Sequence, residues 1–219
     1  VEVRKDSSTL VLSGSLPFSL TPPIIPTDQP IMITADLTDQ SMAFAKSLTG
    51  LVENASGSLI ANIQVSGAVE KPIINGPITL ADGSLKVKGF ENSLTGVTAQ
   101  ARFVDSALTL DSLQGASSLG GTFTGNGTIT MTTLTNGLVN LYLNANALRL
   151  GMAGVGGKGG SAILTATGQL AVVDTIKSPV VQGTVVVSDA RVVIPANLVP
   201  TSIVLPALPI SPQLAVTLN

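Results

Sequence analysis

The chain has 219 residues, of which 44% are hydrophobic and only 11% charged, and its net charge at neutral pH is −2. Histidine and cysteine are both absent, which excludes disulfides, thiolate metal sites and histidine-based catalytic triads. Its eleven Lys and Arg are scattered rather than clustered, which argues against nucleic acid as a partner. We therefore expect a protein that is not an enzyme and carries neither a metal nor a cofactor.

The first fifty residues combine three different patterns. Residues 9–16 alternate like a strand and resemble Thr122–Ile129, whereas Pro17–Pro30 is too rich in proline for a central strand. The apolar spacing from Asp39 to Gly50 predicts a short helix of two to three turns, capped by Thr38 or Asp39.

Period-two alternation dominates the chain from residue 59 onward and predicts an antiparallel β-sheet. In residues 59–66, 97–103, 128–131 and 139–144, aliphatic residues alternate with Thr, Asn, Gln and Arg. The dipeptides Asn75-Gly76, Asp82-Gly83, Asn126-Gly127 and Ser188-Asp189 predict turns between the strands. About a dozen strands of about eight residues would make a sheet roughly 55 to 60 Å long.

One sixteen-residue segment occurs twice, 107 residues apart. Pro72–Val87 aligns without a gap on Pro179–Ile194, with Pro, Gly and Asp at the same places and the apolar positions in phase. This repeat predicts one elongated domain over 1–219, built from units at about 1–71, 72–178 and 179–219. The outer units are incomplete, so we expect a longer protein with any membrane anchor outside these residues.

Two other patterns have ordinary structural explanations. Gly154–Gly159 has dinucleotide-loop spacing, but a strand rather than a helix is predicted after it, so we interpret Gly151–Gly160 as a loop. The acidic residues are dispersed; Asp105 and Asp111 could approach each other across a hairpin, yet turn and polar-face positions explain them better than a carboxylate pair.

The apolar positions of the strands should all lie on one face of the sheet. That face either packs dry against a second sheet, as in a β-sandwich, or lines a hydrophobic groove; the aromatic content of only 3% favours the groove. The predicted lining comprises Leu59, Ile63, Val65, Ile74, Ile78, Leu80, Leu85, Val87, Val97, Phe103, Leu108, Leu110, Phe123, Ile129, Met131, Leu141, Leu143, Val181, Val185, Val187, Val192 and Ile194.

The motif order resembles the TamB (AsmA-like) proteins of the bacterial envelope. It runs from the strand Gly57–Gly67 through Pro72, the glycine-started pair Gly76–Leu80 and Gly83–Val87, the strand Leu108–Gly115 and the Gly-Gly strand from Gly120. The second copy from Gly160 to Ile194 repeats the order, although the Pro-rich end from Pro195 has no counterpart in it.

The resemblance implies a β-taco, an antiparallel sheet curled into a U-shaped hydrophobic groove. It also implies a periplasmic segment, anchored in the inner membrane, that shelters phospholipid acyl chains between the two membranes and has a BamA-like barrel as its outer-membrane partner. Two other hypotheses remain open: a structural or adhesin β-sandwich or solenoid with a packed core, and a groove that chaperones strands of outer-membrane proteins. Exposed sheet edges also permit an edge-mediated dimer.

Overall fold

A computed structural model describes residues 1–5, 8–20, 23–40, 42, 52–133, 136–155, 159–193 and 213–218. The described residues form strands and connecting turns and contain no helix. Accordingly, nothing in this part of the chain is a helix long and apolar enough to cross a membrane. The predicted all-β class is confirmed.

In the described part of the chain, twelve strands join in one sheet and two very short strands form a separate ribbon. The sheet strands are β1 (Glu2–Lys5), β2 (Ser8–Ser15), β5 (Pro30–Asp39), β6 (Val52–Ala68), β7 (Lys71–Val87), β8 (Leu94–Val104), β9 (Ala107–Ser117), β10 (Thr122–Thr133), β11 (Asn136–Ala153), β12 (Ser161–Thr175), β13 (Ser178–Val193) and β14 (Gln213–Leu218). The ribbon pairs β3 (Ser19–Leu20) with β4 (Pro23–Ile24), within the Pro-rich stretch where no central strand was expected.

The strands follow one another across the sheet almost in sequence order. The order is β1-β2-β5 and then β6 through β14, so the described sheet is open, with β1 and β14 at its edges. Every neighbouring pair is antiparallel except β13 and β14, which are parallel. The predicted antiparallel meander is therefore confirmed up to β13, whereas β14 runs parallel to β13.

The strands are longer than predicted because several expected turns lie inside them. Strands β6 and β7 have 17 residues each and β11 has 18, against the expected eight. Gly76 and Gly127 lie within β7 and β10 with φ of 137° and 151°, a region that glycine alone enters readily. Asp82 and Asp189 lie at register shifts or next to them, with φ near 50°. These residues mark strand kinks and bulges rather than hairpin turns.

The predicted helix capped by Thr38 or Asp39 is not present at its expected start. Both residues belong to β5, where Asp39 is fully buried and its carboxylate accepts a hydrogen bond from the Ser8 hydroxyl at 2.6 Å. Residue 41 and residues 43–51, on which the rest of that prediction falls, lie outside the described part of the chain.

The connection between β7 and β8 reaches across the sheet and is fastened to β11. The buried Asn92 side chain donates to the Ser117 hydroxyl at 3.0 Å and accepts from the Gly151 backbone N–H at 2.8 Å. The Glu91 N–H donates to the Gly151 carbonyl at 2.7 Å, and Phe90 forms an isolated bridge with Met152. The pairing of β10 with β11 stops at Asn146, so β10 does not reach Gly151 and Met152. The connection pairs with the backbone of β11 at those two residues instead. We call this arrangement the Asn92 clamp.

Candidate functional site

The strand register places the predicted lining residues on one side of the sheet. Directly paired residues share a side, and Leu59 pairs with Leu80, Phe103 with Leu108, and Val172 with Val181. We call this side the apolar face. One unbroken cross-strand row of this face runs through Leu10, Leu37, Ala61, Ile78, Ala101, Leu110, Gly127, Leu141, Val172 and Val181.

The predicted lining residues differ in how far they are buried. Most of them are half-buried, while Val97 is 1% exposed, Val181 is also buried and Val192 is 42% exposed. Met131 is in β10 opposite Gly137, but its side chain, like the whole of Ile194, lies outside the described part of the structure. The register therefore brings the described members of the predicted set together on one face, and Val192 is the most exposed of those whose burial is described.

Several residues of the apolar face were missed in the sequence. Ile33 and Leu37 of β5 pair with Val65 and Ala61, and Leu10 of β2 pairs with Leu37. The alternation of Ile31, Ile33, Ala35 and Leu37 was a readable signal. Leu148, Leu150, Leu164, Leu170 and Val172 also lie on this face through the pairs of β11 with β12.

The opposite side of the sheet, which we call the polar face, has a different composition and exposure. Along β10, Thr122, Thr124, Asn126 and Thr128 are exposed, while the intervening residues on the apolar face are half-buried. The same alternation continues in β11 from residue 138 to residue 145. The two faces thus differ in exposure along β10 and β11, which is the pattern of a sheet with one shielded side.

Within the described residues there is no second large sheet that could pack on the apolar face. The substantial contacts between strands join neighbours of one sheet, apart from β9 with β11, and the only other sheet is the small β3–β4 ribbon. A packed β-sandwich needs a facing sheet about 10 Å away. The half-burial of these aliphatic side chains therefore arises within a single sheet.

At several glycines of the apolar face, an added Cβ would collide with the backbone of the neighbouring strand. A Cβ on Gly76 would overlap the backbone oxygen of Asn62 in β6, and one on Gly127 would overlap that of Asn140 in β11. Gly168 and Gly183 are crowded by β13 and β12 in the same way. Glycine kinks of this kind let strands bend sharply, so the face combines aliphatic bulk with points where the backbone can turn.

The charged side chains offer little chemistry among the described residues. No group of three or more acidic side chains could hold a metal ion there. Asp111 forms an ion pair with Arg102 at 3.2 Å, and Asp105 lies in the turn after β8. The Gly-rich segment Gly151–Gly160 is followed by strand β12, as predicted. Its first three residues, Gly151 to Ala153, belong to β11, and residues 156–158 lie outside the described chain.

A family model described as the TamB C-terminal domain matches residues 109–204, from β9 through the second copy of the repeat. Over these residues the chain is similar to the TamB family, in agreement with the resemblance of the sequence motifs. This similarity supports a protein of the bacterial envelope with a role in outer-membrane assembly. No curated protein and no solved structure matched the chain.

Proposed function

We propose that this TamB-like chain shelters phospholipid acyl chains on its apolar face as they move between the inner and outer membranes. The observation that carries the proposal is the continuous cross-strand register of aliphatic residues from β2 to β13, opposite a polar face. Such a surface is far larger than an isolated exposed apolar residue and calls for a partner.

The apolar face has the properties that binding and movement of a hydrocarbon chain require. Removing one methylene from water is worth about 0.8 kcal/mol, so partial sheltering of an acyl chain stabilises it by several kcal/mol. Repeated Val, Leu and Ile side chains offer nearly equal sites along the sheet, which keeps the differences between neighbouring positions small. The role involves no chemical step, so we propose a conduit rather than an enzyme.

We further propose that the sheet curls around the apolar face to form a groove of the β-taco type. The lower exposure of that face along β10 and β11 supports this shape, because the two sides of a flat single sheet would be about equally exposed. The glycine kinks at Gly76, Gly127, Gly168 and Gly183 support it independently, since they permit strands to bend. Headgroups would then remain in water at the open margin.

The envelope context completes the proposal. A periplasmic location, an inner-membrane anchor elsewhere in the full protein and a BamA-like barrel partner all follow from the family resemblance. Together they would place the groove between a lipid source and an acceptor membrane. Neither the apolar face nor the strand order determines the direction of transport.

The test is native mass spectrometry of the purified chain for co-purifying phospholipid. The wild-type chain is compared with Leu80→Arg, on the apolar face, and with Ile60→Arg, whose parent residue is 53% exposed on the polar face of the neighbouring strand. We expect bound phospholipid in the wild type and in Ile60→Arg, and its loss in Leu80→Arg. Circular dichroism confirms that all three chains remain folded.

The same experiment separates the other hypotheses. Equal lipid retention by folded Leu80→Arg protein would remove the apolar face from the binding site. A lipid-free wild type of high thermal stability would favour a packed structural domain. Capture of a peptide strand without lipid would favour a chaperone of outer-membrane proteins, in which the unpaired edge of β1 is the accessible pairing surface.

A further inference from the structure

The polar face has a feature of its own, distinct from the proposed lipid-binding side. A shallow depression of about 960 Å³ lies over β9 to β13. Its polar lining on this face consists of Ser112, Gln114, Thr124, Asn126, Tyr142, Asn144, Gln169, Gln182 and Thr184, with Asp111 at one end. The depression is also lined by Ala171 on this face and by Leu113, Gly125, Leu143, Leu170 and Gly183, which the register assigns to the apolar face. The side chains that the polar face contributes are therefore mainly uncharged amides and hydroxyls.

The strand register orders these side chains into two adjacent rows. One row pairs Gln114, Thr124, Asn144, Gln169 and Thr184, each directly opposite the next. The second pairs Asn126, Tyr142, Ala171 and Gln182 in the same way. Five strands at about 4.8 Å spacing make the longer row about 19 Å long, so the depression is an elongated furrow rather than a point site.

Tyr142 gives the furrow an aromatic surface. It is the chain's one tyrosine, lies in the second row and is 54% exposed. An exposed ring beside amide groups presents a flat apolar surface and a hydroxyl to the same ligand. Asp111 is the charged residue of the lining, and its carboxylate forms an ion pair with Arg102 at 3.2 Å.

The chemistry of the lining excludes most ligand classes. Nucleic acids and phosphate groups need cationic side chains, and the furrow is lined by none. An acyl chain needs aliphatic lining, which lies on the other face. Asn, Gln, Ser and Thr side chains each donate and accept hydrogen bonds, as a ligand with many hydroxyl groups requires. We propose that this furrow binds a linear neutral oligosaccharide, with one sugar ring stacked on Tyr142.

Isothermal titration calorimetry with chitotetraose and maltotetraose tests the site on the whole chain. Tyr142→Ala should lower the affinity at least tenfold, whereas Tyr142→Phe keeps the ring and should lower it less than threefold. Asn144→Ala should weaken binding several-fold. Asn140→Ala is the matched control, because Asn140 is also exposed, on the same face of the same strand, but outside the furrow.

The possible results either support or overturn the site. Saturable binding of either tetrasaccharide that is weakened by Tyr142→Ala and Asn144→Ala but not by Asn140→Ala supports it. Absence of saturable binding of both sugars by the folded wild type overturns it, and so does binding that all the variants retain equally. The result is independent of the lipid experiment, since Leu80→Arg alters the opposite face.

Discussion

Asp82 in β7 and Asp189 in β13 adopt the same left-handed backbone conformation, with φ of 51° and 49°. They occupy equivalent positions of the two repeat copies, as do Gly76 and Gly183 with φ of 137° and 151°. The duplication therefore preserves the bulge and the kink as well as the hydrophobic pattern. Each unit bends at the same places along its strand.

Replacing Asp82 or Asp189 with valine should destabilise the protein to a similar extent. A β-branched residue at positive φ is strained, and the expected loss in the free energy of unfolding is roughly 1 to 2 kcal/mol at each site. The glycine variants should be close to wild type. Urea unfolding measures these changes, with Gln100→Val on the polar face of β8, where φ is not positive, as a control for added β-branching. Unchanged stability of both valine variants would contradict the strain expected at positive φ, and unequal losses would contradict the structural equivalence of the two sites.

Gly76→Ala should be strongly destabilising, by about 3 kcal/mol or more, because φ is positive and the new methyl group meets the backbone of β6. Gly151→Ala provides the control. A Cβ there would make ordinary contacts with Leu119 and Glu91, so the change should stay within about 0.5 kcal/mol. Thermal unfolding of both variants checks the prediction, which fails if they lose equal stability.

Asn92→Ala should loosen the Asn92 clamp without unfolding the sheet. Deleting the amide leaves the Gly151 N–H without its acceptor and removes a donor from Ser117, at a cost of about 1 to 3 kcal/mol. Amide hydrogen exchange should accelerate at Gly151. Asn146→Ala, at an exposed position earlier in β11, should leave exchange at Gly151 unchanged. Equal exchange rates in the two variants would show that the clamp contributes nothing.

The two repeat copies should contribute equivalent parts of the proposed lipid-binding face. Val187→Arg, in the second copy, should abolish lipid retention as Leu80→Arg does in the first, because each introduces a charge on the apolar face. Val186→Arg points to the polar face, where it pairs with Thr167, and should retain lipid. Quantifying lipid per folded chain tests this. Loss of lipid in Val186→Arg alone would reverse the assignment of the faces.

The sequence predicted which side chains share a face better than where strands end. Phe123 and Ile129 were assigned correctly because alternation depends only on the pleat. Gly76, Asp82 and Gly127 were misinterpreted as turns because glycine and aspartate are also the residues that tolerate positive φ inside a bulged strand. Local sequence cannot distinguish these uses, since the choice depends on whether a neighbouring strand continues past the residue.

Other features required three-dimensional information. The apparent helix start at Asp39 is a strand end, because pairing with β6 overrides weak local periodicity. The side chain of Asn92 accepts a hydrogen bond from the N–H of Gly151, 59 residues away, and such a contact cannot be predicted from the local sequence. The furrow around Tyr142 is formed by residues of five strands. In the sequence, each of these residues has the pattern of an ordinary solvent-exposed strand position.

Because nearly every strand meets only the strand before it and the strand after it, the molecule has a modular length. Duplication of a unit in the gene would add strands at one edge of the sheet and leave every existing strand pairing intact. A span of any required distance can be reached by changing the number of copies, without redesigning a closed core. In such an architecture, the number of repeat copies sets the length of the sheet.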